Sequence, residues 1–104
     1  SAFRTALEEL QHADLLVHVV DASSLDLDDK VAVVENTLRE LGLTSKPQLC
    51  VLNKSDLCDP DELAGLAAKH DGVPVSALNR ESFGPLMERL EALVWSEADV
   101  KVAT

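Results

Sequence analysis

Four polar residues follow an apolar run in VLNKSDL (residues 51–57): Asn53, Lys54, Ser55 and Asp56. An amide, an ammonium and a carboxylate within four positions can bind a polar ligand. They can also form only a turn, because Asn, Ser and Asp side chains bond to the nearby backbone. With average composition, Asn-Lys-any-Asp occurs by chance in about one in a hundred chains of this length. The segment is therefore a candidate binding site. Whether it binds a ligand or only forms a turn depends on the helices and strands that position it.

The chemistry of these side chains suits guanine. A carboxylate such as that of Asp56 accepts two parallel hydrogen bonds, one from the ring N1–H and one from the exocyclic amine. Adenine has a lone pair at N1 instead of an N–H, so a carboxylate facing it would meet repulsion and would lack a donor. Leaving such a buried group unpaired costs on the order of 1–3 kcal/mol. Asn53 can bond the other base edge, and the methylene stem of Lys54 can lie across the ring. The small Ala77 would let its backbone N–H approach the guanine carbonyl oxygen.

Helices and strands alternate along the chain. Apolar spacing and capping signals predict four helices, at about residues 2–12, 28–41, 60–71 and 82–97. Apolar runs between them predict three strands, at residues 15–20, 48–53 and 73–77. This order, α-β-α-β-α-β-α, is typical of an α/β fold, here a three-stranded parallel sheet with flanking helices.

The predicted sheet places three polar clusters where ligands bind in such folds, beyond the carboxyl ends of the strands. They are residues 21–23, 53–56 and 76–79. We interpret Asp21 and Ser23 as ordinary turn and capping residues. Pro74 predicts that the third strand lies at an edge, since proline cannot donate to a ladder. The first strand is too apolar on both faces for an exposed edge, so we expect another element beside it.

Composition restricts the classes of function. A hydrophobic content of 46% argues against disorder, and nine basic against 19 acidic residues give a net charge of −10. This surface argues against direct nucleic-acid binding. The two cysteines and three scattered histidines do not suggest a metal site. No apolar run is long enough to span a membrane. With no Met and no signal-like segment at the start, we expect a cytoplasmic protein and a piece of a longer chain.

The sequence also resembles a known family. NKSD resembles the base-recognition motif of translation-factor-type P-loop GTPases, and Ser76–Ala77 resemble their last motif. AFRTALEELQHADLLVHVVDAS, residues 2–23, resembles the stretch after the second switch in the HflX family of ribosome-associated GTPases. The resemblance covers nearly the whole chain and implies GTP or GDP as ligand. It implies six guanine-binding residues: Asn53, Lys54, Asp56, Ser76, Ala77 and Leu78. Many relatives have lysine after Ser-Ala, whereas Leu78 supplies apolar contact without charge.

Part of the machinery of such a GTPase is missing from this sequence. The family needs a glycine-rich phosphate loop and an Asp-any-any-Gly segment near Mg²⁺, and neither pattern occurs here. The resemblance therefore implies that residues 1–98 are the carboxyl-terminal, guanine-recognition half of a G domain. Residues 99–104 would be a tail or the start of a following domain. The phosphate loop, the Mg²⁺ site and the catalytic residues would lie upstream of Ser1, on a strand beside the first predicted strand.

The resemblance further implies that the parent protein is a GTP hydrolase acting on the large ribosomal subunit, and that this fragment alone is inactive. Two alternatives stay open. In one, the chain is a non-enzymatic acidic interaction module and NKSD is only a turn. In the other, it is a receiver-like phosphoacceptor domain. Its order Asp21, Lys54, Ser76 differs from that class, which places the Ser/Thr strand before the Lys strand.

Overall fold

A computed structural model of the protein describes residues 2–93 and 100–103. The helices in this part of the chain are α1 (Ala2–His12), α2 (Leu27–Glu40), α3 (Pro60–His70) and α4 (Phe83–Leu93). The strands are β1 (Leu15–Asp21), β2 (Gln48–Asn53), β3 (Gly72–Pro74) and β4 (Val100–Ala103). Single 3₁₀ turns cover Ser55–Leu57 and Arg80–Ser82. No helix in the described ranges is long and apolar enough to cross a membrane.

The strands form one parallel sheet in the order β3-β2-β1-β4. The predicted α/β fold, with its three parallel strands and flanking helices, is confirmed. In the register of β1 and β2, His18 lies opposite Cys50 and Asp21 lies opposite Asn53. Both strands therefore end at the same level, and the two polar segments that follow them start side by side. β3 lies at an edge, as Pro74 predicts.

The fourth strand is an addition to the predicted sheet. β4 pairs with β1 from Leu15 to His18 and gives this apolar strand a second neighbour. An element beside β1 was expected, whereas residues 99–104 were expected to be only a tail or the start of a following domain. β4 has only four residues and no flanking turn signal, so the sequence alone does not predict a strand there. Its extended conformation is stabilised by pairing with β1. The domain boundary at residue 98 stays a prediction.

The core explains why β1 and β2 are apolar on both faces. Alternate residues point to opposite sides of a strand. Leu15 and Leu49 pack on one side of the sheet, against Leu86 and Leu90 of α4. Leu52 packs on the other side, against α2 and α3. Leu52 is fully buried, which contributes about 1.5–3 kcal/mol relative to exposure. The sheet is thus covered on both faces, and its carboxyl end stays open for the polar loops.

The ends of the elements follow local chemistry with a few differences. Asp59 caps α3 by accepting hydrogen bonds from two backbone N–H groups, and Gly42 takes φ +71° after α2. α3 ends one residue earlier than predicted, and Asp71, the residue after its end, adopts a left-handed conformation with φ 50°. The third strand is shorter than predicted and ends at Pro74. α4 is described to Leu93, so the predicted end at residue 97 lies outside the described residues.

Candidate functional site

The NKSD segment forms a tight loop at the carboxyl end of β2. Asn53 is the last residue of β2, and Lys54 adopts a left-handed conformation with φ 57° and ψ 37° that turns the chain into the 3₁₀ turn. The loop is held on both sides. The Asn53 carbonyl accepts a hydrogen bond from Ala22 N (2.8 Å), and Ser55 N donates to the Val75 carbonyl (3.0 Å). The turn interpretation of NKSD is therefore correct in geometry, and the loop has a defined position between the ends of β1 and β3.

A second loop, which follows β3, is bonded directly to the first. Ser76 is buried, and its Oγ donates to Asp56 Oδ1 over 2.8 Å. The same Oγ accepts from Leu78 N at 3.1 Å. Ser76 N donates to Ser82 Oγ (2.9 Å), which fixes the loop against the start of α4. The Ser76 hydroxyl thus orients the Asp56 carboxylate, while the exposed Asp56 Oδ2 accepts no hydrogen bond from the described residues.

Ala77 and Leu78 lie at the tip of this second loop. Both residues are exposed, and the Leu78 side chain is 84% exposed. The loop is tight, because Asn79 N donates to the Ser76 carbonyl over 3.1 Å. Within residues 2–93 and 100–103, no group accepts a hydrogen bond from the backbone N–H of Ala77. This donor is therefore unpaired among the described residues.

Lys54 reaches from its loop towards the end of β1. Its Nζ lies 3.5 Å from Asp21 Oδ2. The other carboxylate oxygen, Asp21 Oδ1, accepts hydrogen bonds from Ser23 Oγ (2.6 Å) and from Ser23 N (2.9 Å). These bonds, with a smaller contribution from Lys54, lower the pKa of Asp21 below its usual range. The turn role of Asp21 and Ser23 is confirmed, but the contact with Lys54 was missed in the sequence analysis.

The residues singled out in the sequence fall into two adjoining loops. Asn53, Lys54 and Asp56 follow β2, while Ser76, Ala77 and Leu78 follow β3. An open cleft of about 690 Å³ lies next to them at the ends of β1 and β2, lined by Asp21, Asn53 and Lys54 together with residues of α2. Asp56 and the second loop lie outside its lining. A smaller cavity of about 130 Å³ lies between α2 and the sheet and does not include the NKSD residues.

The donor set indicates what the site can hold. It presents a carboxylate, an amide, an ammonium and a backbone N–H, which are groups that recognise a flat polar base from its edge. In the described part of the chain, no group of three His, Cys, Asp or Glu residues could hold a metal ion. Cys50 is half-buried against the core cluster that contains Leu27, Val31 and Leu52. This burial raises the pKa of the thiol, and Cys50 packs as a small apolar residue.

Comparison with known proteins gives the relationship. The chain is 38% identical over 99 residues to GTPase HflX of Caldanaerobacter subterraneus subsp. tengcongensis, which covers 95% of this chain and 22% of that protein. It is 36% identical over 93 residues to GTPase HflX of Lacrimispora saccharolytica, with 89% of this chain and 22% of that protein covered. By sequence, the chain is a relative of the HflX GTPases. The expected resemblance to this family is confirmed.

The match to HflX is partial in length and not exclusive. The chain spans about 22% of the length of the HflX proteins named above. It is also 33% identical over 92 residues to GTPase Obg of a Synechococcus strain, covering 81% of this chain and 26% of that protein. No family model matches the chain, and no solved structure matches it. The parallel sheet and the HflX match together fit the carboxyl-terminal half of a G domain.

Proposed function

We propose that this chain is the guanine-recognition part of an HflX-like GTPase, and that it binds the base of GTP or GDP at the two loops after β2 and β3. The observation that carries this proposal is the 2.8 Å hydrogen bond from Ser76 Oγ to Asp56 Oδ1. It joins two segments twenty positions apart into one rim and holds the carboxylate in a fixed orientation. Asp56 is exposed as well as oriented, so its carboxylate can accept hydrogen bonds from a ligand.

Each side chain then has a role that its chemistry permits. Asp56 accepts from N1–H and the exocyclic amine of guanine, and Ser76 keeps it in position. The free N–H of Ala77 donates to the guanine carbonyl oxygen. Lys54 covers one face of the ring with its methylene stem, and Leu78 adds apolar contact. Asn53 bonds the other base edge and ties the loops together.

The remaining parts of a GTPase lie in the parent protein under this proposal. Its phosphate loop, Mg²⁺ site and catalytic residues belong to segments outside this chain, and hydrolysis of GTP is the activity of the whole protein. The strand that carries the phosphate loop would pair with β1, where β4 pairs in this structure. Only one strand can occupy that edge, so the upstream strand would displace β4 from it.

The proposed setting is the ribosome in the cytoplasm. The resemblance to the HflX family of ribosome-associated GTPases supports a role at the large ribosomal subunit. A net charge of −10 makes this segment unsuited to holding ribosomal RNA. Other parts of the parent protein would therefore contact the ribosome, while this segment would select guanine nucleotides.

The test is Asp56→Asn in the intact protein. An asparagine amide donates where the carboxylate accepted, so it clashes with the exocyclic amine of guanine and pairs with the 2-carbonyl of xanthine. We expect the affinity for GTP to fall about tenfold or more, with a shift of preference towards xanthosine triphosphate, measured by equilibrium binding.

Asp61→Asn is the matched control. It removes the same charge from an exposed acid in the first turn of α3, away from the second loop. It should leave both affinities unchanged. Unchanged preference for GTP in Asp56→Asn would reduce NKSD to a turn and would favour the acidic interaction module.

A further inference from the structure

Asp21 has a placement that its turn role does not explain. Its Oδ1 is fully used by Ser23, whereas its Oδ2 points across the end of the sheet to Lys54 Nζ, 3.5 Å away. The two residues are 33 positions apart in sequence, but β1 and β2 are in register, with Asp21 opposite Asn53. The pairing of the strands therefore brings the Asp21 carboxylate beside the start of the NKSD loop.

The Lys54 side chain needs such a partner to stay in one orientation. Its backbone is left-handed at φ 57°, a conformation that costs a residue with a side chain free energy and that glycine or asparagine adopts more readily. Its side chain is 58% exposed, so an unpaired ammonium on four methylene groups would sample many rotamers. The chain therefore has a lysine where glycine or asparagine would carry a smaller backbone cost, and this makes the side chain a candidate for a specific use.

The charges around Lys54 single out Asp21. Asp26, Asp29 and Lys30 line the same cleft, but Lys30 pairs with Asp26 at 3.4 Å. Among the ion pairs between described residues, Lys54 is found only with Asp21. A carboxylate near an anionic nucleotide repels it through space. Besides its turn with Ser23, the contact with Lys54 therefore gives this carboxylate a use at the site that does not depend on attraction of the ligand.

We propose that Asp21 is a positioning residue for nucleotide binding. By pairing with Nζ, it draws the Lys54 side chain across the site so that the methylene stem is already in place over the base. This inference rests on the proposed guanine site and adds to it a residue from a third strand end. Asp21 need not touch the nucleotide, because it acts through Lys54.

The experiment is a double-mutant cycle in the intact protein, with a fluorescent N-methylanthraniloyl derivative of GDP as the probe. Asp21→Asn removes the charge and keeps the oxygen that accepts from Ser23. We expect it to weaken binding about threefold, in the range of an exposed ion pair. In the Lys54→Ala background, Asp21→Asn should cause no further loss, since the group it positions is gone.

Asp26→Asn is the matched control, because it removes an equal charge from an acid that lines the same cleft. Loss of negative charge alone should leave binding unchanged or tighten it slightly, which is opposite to the effect expected for Asp21→Asn. Asp21→Asn should still be fully folded at the temperature of the binding assay, as measured by thermal unfolding. Equal losses for Asp21→Asn with and without Lys54, or identical behaviour of Asp21→Asn and Asp26→Asn, would overturn the proposal.

The result also separates this inference from the proposed function. The ratio of affinities for GDP and inosine diphosphate, which lacks the exocyclic amine, depends on Asp56. Asp21→Asn should leave that ratio unchanged. If Asp56→Asn leaves the choice of base unaltered, the guanine site itself is wrong. If Asp56→Asn acts as expected and Asp21→Asn is additive with Lys54→Ala, only the positioning role of Asp21 fails.

Discussion

Lys54 and Ser76 show how single residues hold polar groups at the ends of the strands. Ser76 is only 3% exposed, yet its hydroxyl is fully used, since it donates to Asp56 and accepts from Leu78 N. Lys54 pays a backbone cost at φ 57° and keeps its ammonium near Asp21. In both cases a local arrangement holds a polar group at the edge of the sheet.

The backbone of Lys54 leads to a prediction about stability and binding. Lys54→Gly removes the side chain and the cost of the left-handed conformation together, whereas Lys54→Ala removes only the side chain. We expect Lys54→Gly to be more stable than Lys54→Ala by about 1 kcal/mol, measured by urea unfolding. Both variants should lose nucleotide affinity equally in the intact protein. Equal stability of the two variants would contradict a strained backbone at this position.

At the level of elements, α2 and α3 are joined by one carboxylate. Asp28, in the first turn of α2, lies 2.9 Å from Lys69 Nζ and 2.6 Å from His70 Nε2, in the last turn of α3. Acidic residues at a helix start and basic residues at a helix end are also favoured by the helix dipoles. This contact joins the start of α2 to the end of α3.

The Asp28 contact predicts a pH dependence of stability. Hydrogen bonds from Lys69 first and His70 second lower the pKa of Asp28 in the folded protein. A lowered pKa means that the stabilisation is present above the ordinary Asp value of about 4 and is lost as the pH falls through the folded value. We expect the wild type to unfold at a higher temperature than Asp28→Asn at pH 5, and the difference to shrink towards pH 3.

Asp29→Asn serves as the control for this series. Asp29 lies in the same helical turn, is exposed, and has no ion pair with any described residue. Its effect on the unfolding temperature should be small at every pH. A difference between wild type and Asp28→Asn that stays constant from pH 5 to pH 3 would show that the carboxylate does not stabilise the fold through its charge.

For the whole molecule, we propose that this chain binds the base of the nucleotide and that the rest of the parent protein binds its phosphates. Base contacts alone supply about 4 kcal/mol, which corresponds to millimolar affinity. We therefore expect the 104-residue chain to bind GTP at millimolar strength or not at all, and to show no hydrolysis. Guanosine should bind the isolated chain as well as GTP does, because the phosphates find no partners. Micromolar binding of GTP in titration calorimetry would contradict this division.

Local patterns in the sequence were enough to predict most of the helices and strands and the residues of the NKSD loop. The alternation of apolar runs predicted β1 and β2 nearly to the residue, since strands buried on both faces need continuous apolar sequence. Asp59 and Pro60 predicted the start of α3, because a helix cap needs only neighbouring residues. The residues of NKSD were recognisable for the same reason, as they follow one another on a single loop.

Only the tertiary structure shows which of these segments contact one another. The bond from Ser76 to Asp56, the approach of Lys54 to Asp21 and the pairing of β4 with β1 all join residues that are distant in sequence. Such contacts depend on which strands are neighbours and in which register, and no pattern within one segment specifies this. Residue types at the strand ends thus predicted a polar rim, whereas the order β3-β2-β1-β4 determined which of its groups meet.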